Sequence, residues 1–450
     1  MSRRRIPVVS SLWRNDYGMA LVLLMICAFF SVMTWNEQHP TSAAAARQLA
    51  GAIAARGSAV AAAGVLIVVR ESEDDAIFAD VLERELRARG VKVIDTVKGQ
   101  PADVRRATTQ ALRKGERISV FAANQVTAAW SVYDPLRERF PELASAIVMR
   151  PESYYWPDFL KPENLLNVAN QIAVIALIAV GMTLVIVTGG IDLSVGSLIA
   201  LSAVVTARLI RDICGGESAG ATGMIVAGIV GVLACAGAGM FSGFMITFFQ
   251  IPPFIATLGV MLVASGTAYT LADGQSISQV PDSFIRLGRG ADLFHIPNAV
   301  VLMLMLYVIA HVVMRRMVFG RYVYAVGGNA EAARLSGVPV RRVLILVYTL
   351  CGGLAGLGGV VMASQLKSGA PTYGQMYELY VIAAVVVGGT SLSGGRGNVF
   401  GTLIGALIIA VIQNGMNLMG VESYTQKIVL GTVILGAVLL DKIKSRINKT

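Results

Sequence analysis

Long apolar runs, separated by short polar or glycine-rich segments, dominate this chain of 450 residues. A helix needs about 20 apolar residues to cross a bilayer, and ten runs are close to that length. They cover residues 17–35, 164–188, 192–210, 221–247, 253–272, 298–318, 343–364, 377–393, 398–420 and 425–441. The pattern predicts an α-helical polytopic membrane protein with about ten transmembrane helices. Glycine, serine and threonine are frequent near 192–210 and 377–397, which favours broken helices there over straight ones.

A different pattern occupies residues 37–163, where short β-branched runs alternate with amphipathic segments. We predict strands at 64–70, 91–97, 117–122 and 146–149, helices at 73–89, 101–114 and 125–139, and an alanine-rich helix or linker at 42–63. Strand–helix alternation with short connections is typical of βαβ units and a parallel sheet. The chain is therefore expected to carry an inserted α/β domain between its first and second apolar runs.

The charge distribution separates the same two regions. Residues 37–163 hold 17 basic and 17 acidic side chains, so the whole net charge of +10 lies in the apolar remainder. Across the chain 55% of residues are hydrophobic, only 15% are charged and the mean hydropathy is +0.65. These values exclude a disordered chain and make a cytosolic enzyme implausible. The basic excess indicates membrane orientation, and no nucleic-acid partner is expected.

Counting basic residues on each side of the predicted spans gives the orientation. The run at 17–35 is interpreted as a retained helix, since no signal-peptide cleavage site follows it. Ten spans with a cytoplasmic N-terminus place 15 basic residues inside and six outside, omitting 37–163. The expected organisation is a cytoplasmic N-terminus and first helix (1–36), a periplasmic insert (37–163), a membrane core (164–441) and a basic cytoplasmic tail (442–450).

The string TGGIDLSVGS, residues 188–197, places a carboxylate between apolar spans, where a charge is costly. Asp192 follows glycines and precedes a predicted helix, with Ser194 and Ser197 behind it, which favours a capping role that holds a broken helix. Direct contact with a transported solute is the alternative. Further polar candidates for a substrate pathway or a broken helix lie in the late spans: Glu378, Thr390, Ser391, Gln413, Asn414 and Asn417.

Residues 327–339 predict a short amphipathic helix in a basic loop, capped by Asn329 and ended by Gly337. Such a helix on the cytoplasmic face can dock a soluble partner; an ordinary interfacial helix is the alternative. The glycine-rich segment 388–397 has no Gly-Lys pair, so we interpret it as close packing or an unwound turn, not as a phosphate loop. The four cysteines and three histidines are scattered, and neither a disulfide framework nor a metal site is expected.

Several strings resemble the permease subunits of ribose-type ABC sugar importers, over about 157–441 plus the first helix. They are TLVIVTGGIDLSVGSLIALSAVV (183–205), QIPPFIATLGVM (250–261), GGNAEAARLSGVPVRRVLILVYTLCGGLAGLGGVV (327–361) and AAVVVGGTSLSGGRGNVFGTLIGALIIAVIQNGMNLMGV (383–421). The resemblance implies a type II ABC importer permease that forms a dimer. It also implies partner ATPases that bind ATP and Mg²⁺, a periplasmic sugar-binding protein, and no cofactor in this chain.

The resemblance also gives residues 327–342 a role, since Glu331–Gly337 matches the helix that docks on the ATPase. We expect the coupling residues Asn329, Glu331, Ala332, Arg334 and Gly337. The insert departs from the family, whose members cross from the first to the second helix by a short loop. Its sequence resembles, more weakly, one lobe of a two-lobed periplasmic sugar-binding protein. A docking or bracing module and a degenerate ligand site both remain open for it.

The predicted function is a permease that moves a monosaccharide or similar polyol across the inner membrane without covalent chemistry of its own. One alternative is a membrane receptor that senses a ligand through residues 37–163, although no cytoplasmic output domain follows. A secondary transporter is the other alternative, although few ionisable residues lie in the spans. The sequence does not name the sugar, and it leaves a dimer of identical or of different chains open.

Overall fold

The computed structural model describes residues 18–40, 42–57 and 64–447. The chain divides into two compact units: an inserted unit from Trp35 to Pro157, and a helical unit made of the residues on either side of it. The N-terminal basic residues at 3–5 and 14, which were predicted to be cytoplasmic, lie outside the described residues. Part of the alanine-rich stretch (58–63) and the last three residues of the tail also lie outside them. Residues 158–163, assigned to the insert by sequence, fall in the helical unit.

After α1 (Gly18–Met33), the chain enters the inserted unit. Its elements are β1 (Trp35–Gln38), α2 (Ala43–Ala54), β2 (Val65–Val69), α3 (Glu73–Ala88), β3 (Val93–Lys98), α4 (Pro101–Arg113), β4 (Val120–Ala123), α5 (Gln125–Ala128), α6 (Tyr133–Arg139), β5 (Ile147–Met149) and β6 (Tyr154–Pro157). The helix predicted at 125–139 is wrong, because α5 and α6 are two short helices with a turn between them. The antiparallel ribbon of β1 and β6 has no counterpart in the sequence prediction.

In the described part of the inserted unit, four strands form a parallel sheet in the order β3-β2-β4-β5. All five residues of β2 are buried, as expected for a central parallel strand covered on both faces. Its alternate side chains enter two separate apolar clusters. Ile67 packs with α2 and α3, including Phe78, whereas Leu66 packs with α4 and α6, including Leu136. The sheet is therefore covered by helices on both faces.

The helical unit continues from a short 3-10 turn at Asp158–Leu160. Its helices are α7 (Pro162–Val187), α8 (Val195–Asp212), α9 (Ala221–Phe248), α10 (Pro253–Leu271), α11 (Arg286–Arg289), α12 (Asn298–Arg316), α13 (Val318–Gly328), α14 (Ala330–Leu335), α15 (Val340–Leu366), α16 (Tyr377–Val387), α17 (Val399–Leu418) and α18 (Ser423–Ile447). Each of the ten predicted runs contains a helix.

Among the described residues, six helices are long and apolar enough to cross a membrane: α7, α9, α10, α12, α15 and α17. The helices α1 and α16 are apolar but shorter. In the run 377–393 the helix ends at Val387, so this run is interrupted by a loop. The total of ten spans therefore stays a prediction.

Close backbone packing joins α9 to α15. A Cβ at Gly352 would lie 3.1 Å from Gly239 and would overlap the Cys235 carbonyl oxygen. A Cβ at Gly356 would lie 2.9 Å from both Val232 and Cys235. Small residues at such contacts let two membrane helices approach closely. In lipid, this close packing is one of the main forces that hold helices together. The glycine content of these runs therefore sets the distance between two helices.

Polar side chains lie inside the helical unit and join its helices. The Thr183 and Thr402 hydroxyls are 2.8 Å apart between α7 and α17. The Tyr307 hydroxyl donates to the Ala176 carbonyl at 3.0 Å, and the Ser202 hydroxyl donates to the Gly356 carbonyl at 2.7 Å. Hydrogen bonds of this kind connect transmembrane helices where no water is available.

Candidate functional site

The chain is not helical between α7 and α8, and Asp192 lies in this break. Its side chain is fully buried, at 0% exposure. Oδ1 accepts hydrogen bonds from the Ser194 backbone N–H at 2.9 Å and from the Ser194 hydroxyl at 2.6 Å. The carboxylate therefore closes a tight turn just before α8.

The predicted role of Asp192 as the cap of α8 is wrong in position. The helix begins at Val195, its capping residue is Ser194, and the Ser194 side chain makes no cap hydrogen bond. A short acidic side chain readily accepts from the N–H two residues further on, and this local turn forms before the helical backbone starts. Asp192 therefore stabilises the turn before α8, and it does not cap the first turn of that helix.

Tyr348 and Cys351 of α15 are the buried neighbours of Asp192. Gly190 passes so close to Tyr348 that a Cβ there would overlap the phenolic oxygen. Among the described residues, no hydrogen bond of ordinary geometry reaches Oδ2 of Asp192 or the Tyr348 hydroxyl, and the weakly donating Cys351 thiol lies beside Asp192. A buried polar atom without a partner costs about 1–3 kcal/mol, so this cluster is not at an energetic optimum.

Thr257 of α10 ties the same turn to a neighbouring helix. Its hydroxyl accepts from the Leu193 backbone N–H at 3.2 Å and donates within α10 to the Pro253 carbonyl at 2.9 Å. The residue is fully buried. Sequence analysis missed Thr257, because a single threonine in an apolar run gives no signal of a contact 64 positions away.

A cavity of about 280 Å³ lies beside the first turn of α8. Polar groups line it: Ser197 from α8, Ser265 from α10, and Tyr373, Gln375 and Glu378 from the loop before α16 and its first turn. The volume is near the lower limit of about 300 Å³ for small-molecule sites. Hydroxyl, amide and carboxylate groups can together donate to and accept from a small polar solute. Ser197 and Glu378 were predicted as candidates, whereas Ser265, Tyr373 and Gln375 were not.

Two backbone features shape this cavity. At Gly196, a Cβ would overlap Oε2 of Glu378, so only glycine lets that carboxylate approach the start of α8. The N-terminus of a helix carries partial positive charge, which favours a carboxylate there. Met376 has a φ of 67°, a left-handed conformation that costs a non-glycine residue about 1–3 kcal/mol. Strain of this size on a cavity wall is a common property of functional sites.

The other predicted polar residues lie elsewhere. Asn414 of α17 exchanges two hydrogen bonds with Asn164 of α7, at 3.0 and 2.8 Å. Asn417 accepts from Gln426 of α18 at 2.7 Å. These amides brace helices and do not line the cavity described above. Gln413 is half-buried on α17, and Thr390 is buried just after α16 with Ser391 beside it.

The glycine-rich segment 388–397 forms a loop that joins two helices through its backbone. The Gly395 N–H donates to the Val187 carbonyl at the end of α7, at 2.9 Å. The Tyr324 hydroxyl of α13 donates to the Gly397 carbonyl at 2.8 Å. Gly394 has a φ of +79°, and a Cβ there would lie 2.8 Å from the Gly327 carbonyl oxygen. The prediction of an unwound, closely packed turn is confirmed.

The predicted short helix is α14, and its capping is confirmed. The Asn329 side chain accepts from the Ala332 N–H at 2.9 Å, and Gly337 ends the segment with a φ of +86°. Glu331 and Arg334 form an ion pair and are 66% and 67% exposed.

Only one face of α14 is packed. Ala333 is buried, whereas Leu335 on the same helix is 80% exposed. Ala332 is exposed as well. Sequence analysis did not single out Leu335, although an apolar residue among charged neighbours in a loop is a signal of a docking surface. The exposed face of α14 therefore combines one large apolar side chain with an ion pair.

In the inserted unit, the carboxyl ends of β2 and β4 meet where the strand order reverses, which is the usual ligand site of such sheets. Here the unit's own side chains occupy that edge. Arg70 donates to Asp75 from Nε at 2.9 Å, and Thr127 donates to the Val68 carbonyl at 2.8 Å. Asp75, Asn124 and Thr127 are all buried.

Asp75 is ionised at neutral pH. Burial raises the pKa of its carboxyl, but hydrogen bonds from the Arg70 side chain and backbone, together with the nearby Asn124 amide, outweigh burial and lower it below the ordinary value. The guanidinium therefore compensates the buried charge at this edge of the sheet.

Residues 164–438 match the family model described as the permease component of the branched-chain amino acid transport system. The chain belongs to this permease family. The match covers more than half of the chain and begins after the inserted unit. No solved structure gives a significant match.

Curated relatives agree with the family model. The permease is 47% identical to the ribose import permease protein RbsC of Bacillus subtilis, over 64% of this chain and 88% of that protein. It is 41% identical to the ribose import permease protein RbsC of Escherichia coli K12, over 71% of this chain and 96% of that protein. It is 36% identical to the D-allose transport system permease protein AlsC of the same strain, over 64% of this chain and 86% of that protein.

The prediction of an ABC importer permease subunit is confirmed by these relatives, and so is the prediction that the chain is not itself an enzyme. With six helices long and apolar enough to span among the residues described, the permease is a multi-pass inner-membrane protein. An importer permease of this family works with ATPase and binding-protein partners.

Proposed function

We propose that this permease carries a monosaccharide or a similar small polyol inward across the inner membrane. A periplasmic sugar-binding protein delivers the solute, and a cytoplasmic ABC ATPase binds ATP and Mg²⁺ and drives the cycle. The permease forms a dimer, of identical or of different chains. The observation that carries the proposal is the 41% identity to a ribose import permease over 96% of that protein.

The cavity beside α8 is the proposed substrate-contact surface. Ser197, Ser265, Tyr373, Gln375 and Glu378 offer the mixed donors and acceptors that bind sugar hydroxyls. A carboxylate and an amide commonly orient a neutral polyol, because the carboxylate can accept from two neighbouring hydroxyls and the amide can accept from one and donate to another. The strained backbone at Met376 supports a functional role for this wall.

Coupling to ATP hydrolysis is proposed to run from α14 to the Asp192 turn. The exposed face of α14, with Leu335, Glu331 and Arg334, docks on the ATPase. From α13 the contacts lead through the Gly394–Gly395 backbone to the end of α7, after which the chain enters the break that contains Asp192. Stiff backbone contacts of this kind transmit displacement better than flexible side chains would.

The topology is proposed to place both termini in the cytoplasm and the inserted unit in the periplasm. The excess of basic residues in segments 315–342 and 442–449 supports this orientation. Residues 158–161, which lead from the inserted unit into α7, then lie on the periplasmic side. A cysteine-scanning accessibility experiment at Glu331 and at Asp80 would test it, with only Asp80 expected to react from outside.

For the inserted unit we propose docking of the binding protein, and not sugar sensing. The ligand edge of its sheet is filled by Arg70, Asp75 and Thr127, which leaves those polar groups already paired. A membrane receptor is the alternative. Titration of the purified permease with sugars by calorimetry, without binding protein, should give no tight binding to the inserted unit. Tight binding that is lost in Asp75→Ala would favour the receptor.

A second variant tests docking. Replacing residues 40–152 by a short Gly/Ser linker should leave an assembled permease and weaken its affinity for the binding protein. Unchanged affinity would remove the docking role, and loss of assembly would make the inserted unit a structural brace.

The transport function is tested by reconstitution. Proteoliposomes with the permease, its ATPase and its binding protein should accumulate labelled pentose, hexose or polyol in an ATP-dependent manner. Leucine is the control solute, because the family model is described by branched-chain amino acids. Glu378→Gln should reduce sugar uptake, whereas the exposed control Glu217→Gln should not. Uptake of leucine and not of any sugar would contradict the proposal.

A further inference from the structure

The two ends of the inserted unit are joined by a short antiparallel ribbon. Four residue pairs connect β1 to β6, from Trp35 opposite Pro157 to Gln38 opposite Tyr154. The Gln38 amide also donates to the Trp156 carbonyl at 3.0 Å, and the Ser153 hydroxyl donates to Glu37. We refer to residues 35–38 and 154–157 as the aromatic ribbon.

Four large aromatic side chains of this ribbon are exposed. The exposed fractions are 56% for Trp35, 53% for Tyr154, 63% for Tyr155 and 44% for Trp156. Directly opposite residues share a face of a ribbon, and neighbours along a strand alternate. Trp35 and Tyr155 therefore lie on one face, and Tyr154 and Trp156 on the other. Both faces present aromatic surface that no described part of the chain fully covers.

Chain connectivity places this ribbon at the edge of the bilayer. Trp35 is separated from the end of α1 by one residue, and Pro157 precedes the membrane helix α7 by five positions. The linking residues Asp158 and Lys161 form an ion pair at 2.7 Å, and such charges do not enter the hydrocarbon core. On the other side of the ribbon, α1 is apolar up to its last residue, and its final side chains Val32 and Met33 are 73% and 55% exposed. The boundary between hydrocarbon and water therefore lies close to the end of α1, next to Trp35.

The length of α7 allows its polar first turns to lie outside the hydrocarbon core. Its 26 residues extend about 39 Å, more than the ~30 Å of the hydrocarbon core. The headgroup layers add about 10–15 Å in total to the core. The ribbon follows α1 directly, so its end that carries Trp35 and Pro157 lies inside or beside a headgroup layer. Its four-residue strands rise about 13 Å from there.

Tryptophan and tyrosine are the side chains enriched at this depth, because each combines an apolar ring with a polar N–H or O–H. We propose that the aromatic ribbon is a membrane-interface anchor, with Trp35, Tyr154, Tyr155 and Trp156 inserted among phospholipid headgroups. The anchor holds both ends of the inserted unit at the membrane surface. This inference depends neither on the transported solute nor on which side of the membrane the unit faces.

Fluorescence quenching by lipids tests the anchor, because the chain has only four tryptophans, Trp13, Trp35, Trp130 and Trp156. Three full-length variants each keep one of Trp35, Trp156 and Trp130, with phenylalanine at the other positions. Trp130 is the matched control, since it lies in the same unit and packs against its second apolar cluster. The permease is reconstituted in phosphatidylcholine brominated either near the headgroup or near the chain ends.

We expect Trp35 and Trp156 to be quenched at least about twofold more by the shallow bromine than by the deep one. Trp130 should be quenched by neither lipid and by aqueous acrylamide instead. Quenching of Trp35 and Trp156 by acrylamide alone would overturn the proposal in favour of a water-facing or protein-docking surface. Equal or stronger quenching by the deep bromine would also overturn it, since it would place the ribbon in the hydrocarbon core.

A measurement on the unmodified chain covers the case in which the phenylalanine variants fail to assemble. A phospholipid with a photoreactive diazirine at headgroup level is incorporated in the same vesicles. Mass spectrometry should find labelled side chains at 35 and 154–156, and no label between 64 and 149. Label spread over the inserted unit, or absent from the ribbon, would contradict the anchor.

Discussion

The inserted unit and the helical unit use the same chain chemistry in opposite arrangements. In the inserted unit, apolar residues such as Ile67 and Leu66 lie inside on the two faces of a sheet, and ion pairs such as Lys98–Asp80 lie outside. In the helical unit, large apolar residues such as Leu262 are exposed, at 64%, while Asp192 is fully buried.

The solvent explains this difference. In water, burial of apolar surface is the main favourable term, at roughly 25 cal/mol per Å². In lipid that term is nearly absent between helices, so close contact and hydrogen bonds must hold them together. The pair Gly352 and Gly239 provides such a close contact, and the pair Thr183 and Thr402 provides such a hydrogen bond. The two units should therefore respond differently to the same class of mutation.

The largest effect is expected at the glycine contact of α9 and α15. Gly352→Val should abolish assembly of the helical unit, because even a Cβ there overlaps the Cys235 carbonyl. Gly353→Val is the matched control, since a Cβ at Gly353 meets only the Ala236 Cβ at an ordinary 3.6 Å. Size-exclusion chromatography in detergent measures assembly. If both variants assemble equally, close packing is not what holds these helices.

The second-largest effect is expected at Asp192, where removal of the carboxylate oxygens should abolish transport. Asp192→Leu leaves the Ser194 N–H and hydroxyl without their acceptor, at about 1–3 kcal/mol for each buried group. Asp192→Asn keeps an oxygen at the same place, so it should retain much of the uptake in proteoliposomes. An Asn variant that assembles normally but does not transport would show that the charge itself acts in the cycle.

Uncoupling without unfolding is expected on the exposed face of α14. The double variant Glu331→Lys and Arg334→Glu keeps a reversed ion pair on the helix but changes the surface offered to the ATPase. ATPase stimulation by the loaded binding protein should fall several-fold, while the thermal stability of the permease stays unchanged. The reversed pair at Arg208→Glu and Asp212→Arg, outside this loop, is the control. Full stimulation in the α14 variant would remove this helix from coupling.

The smallest effect concerns charge in the inserted unit. Because Arg70 and Asn124 lower the pKa of Asp75, the ionised carboxylate stabilises the unit above its unfolded pKa of about 3.9. That contribution is lost as the pH falls from there through the lower folded pKa. Asp75→Ala should therefore destabilise the unit by roughly 1.5–3 kcal/mol at pH 7 and by much less in strong acid.

Hydrogen exchange of β2 and α3 amides in the full chain measures this loss. Asp80→Ala is the control, because its pair with Lys98 is exposed and worth at most about 1 kcal/mol. Equal effects of the two substitutions at pH 7 would contradict a special role for the buried carboxylate.

Much of the architecture follows from local pattern. The β-branched run of β2 and the Asn329 cap of α14 are local signals, and both elements occur where they were predicted. The site is only partly predictable in this way. Asp192, Ser197 and Glu378 are visible in sequence as polar residues among apolar ones. Their neighbours Thr257 and Ser265 look like ordinary helix residues in the sequence, and only the fold brings α10 beside α8.

The sequence by itself determined the solvent of each region, because hydropathy and charge are sums over local residues. It also determined the permease family, since long strings of matching residues carry that signal. Tertiary structure alone decided which polar groups share a cavity, which merely brace helices, as Asn414 does with Asn164, and that β1 and β6 pair. The last two are contacts between residues more than 100 positions apart in the chain. Such contacts depend on the packing of whole helices, which no local pattern encodes.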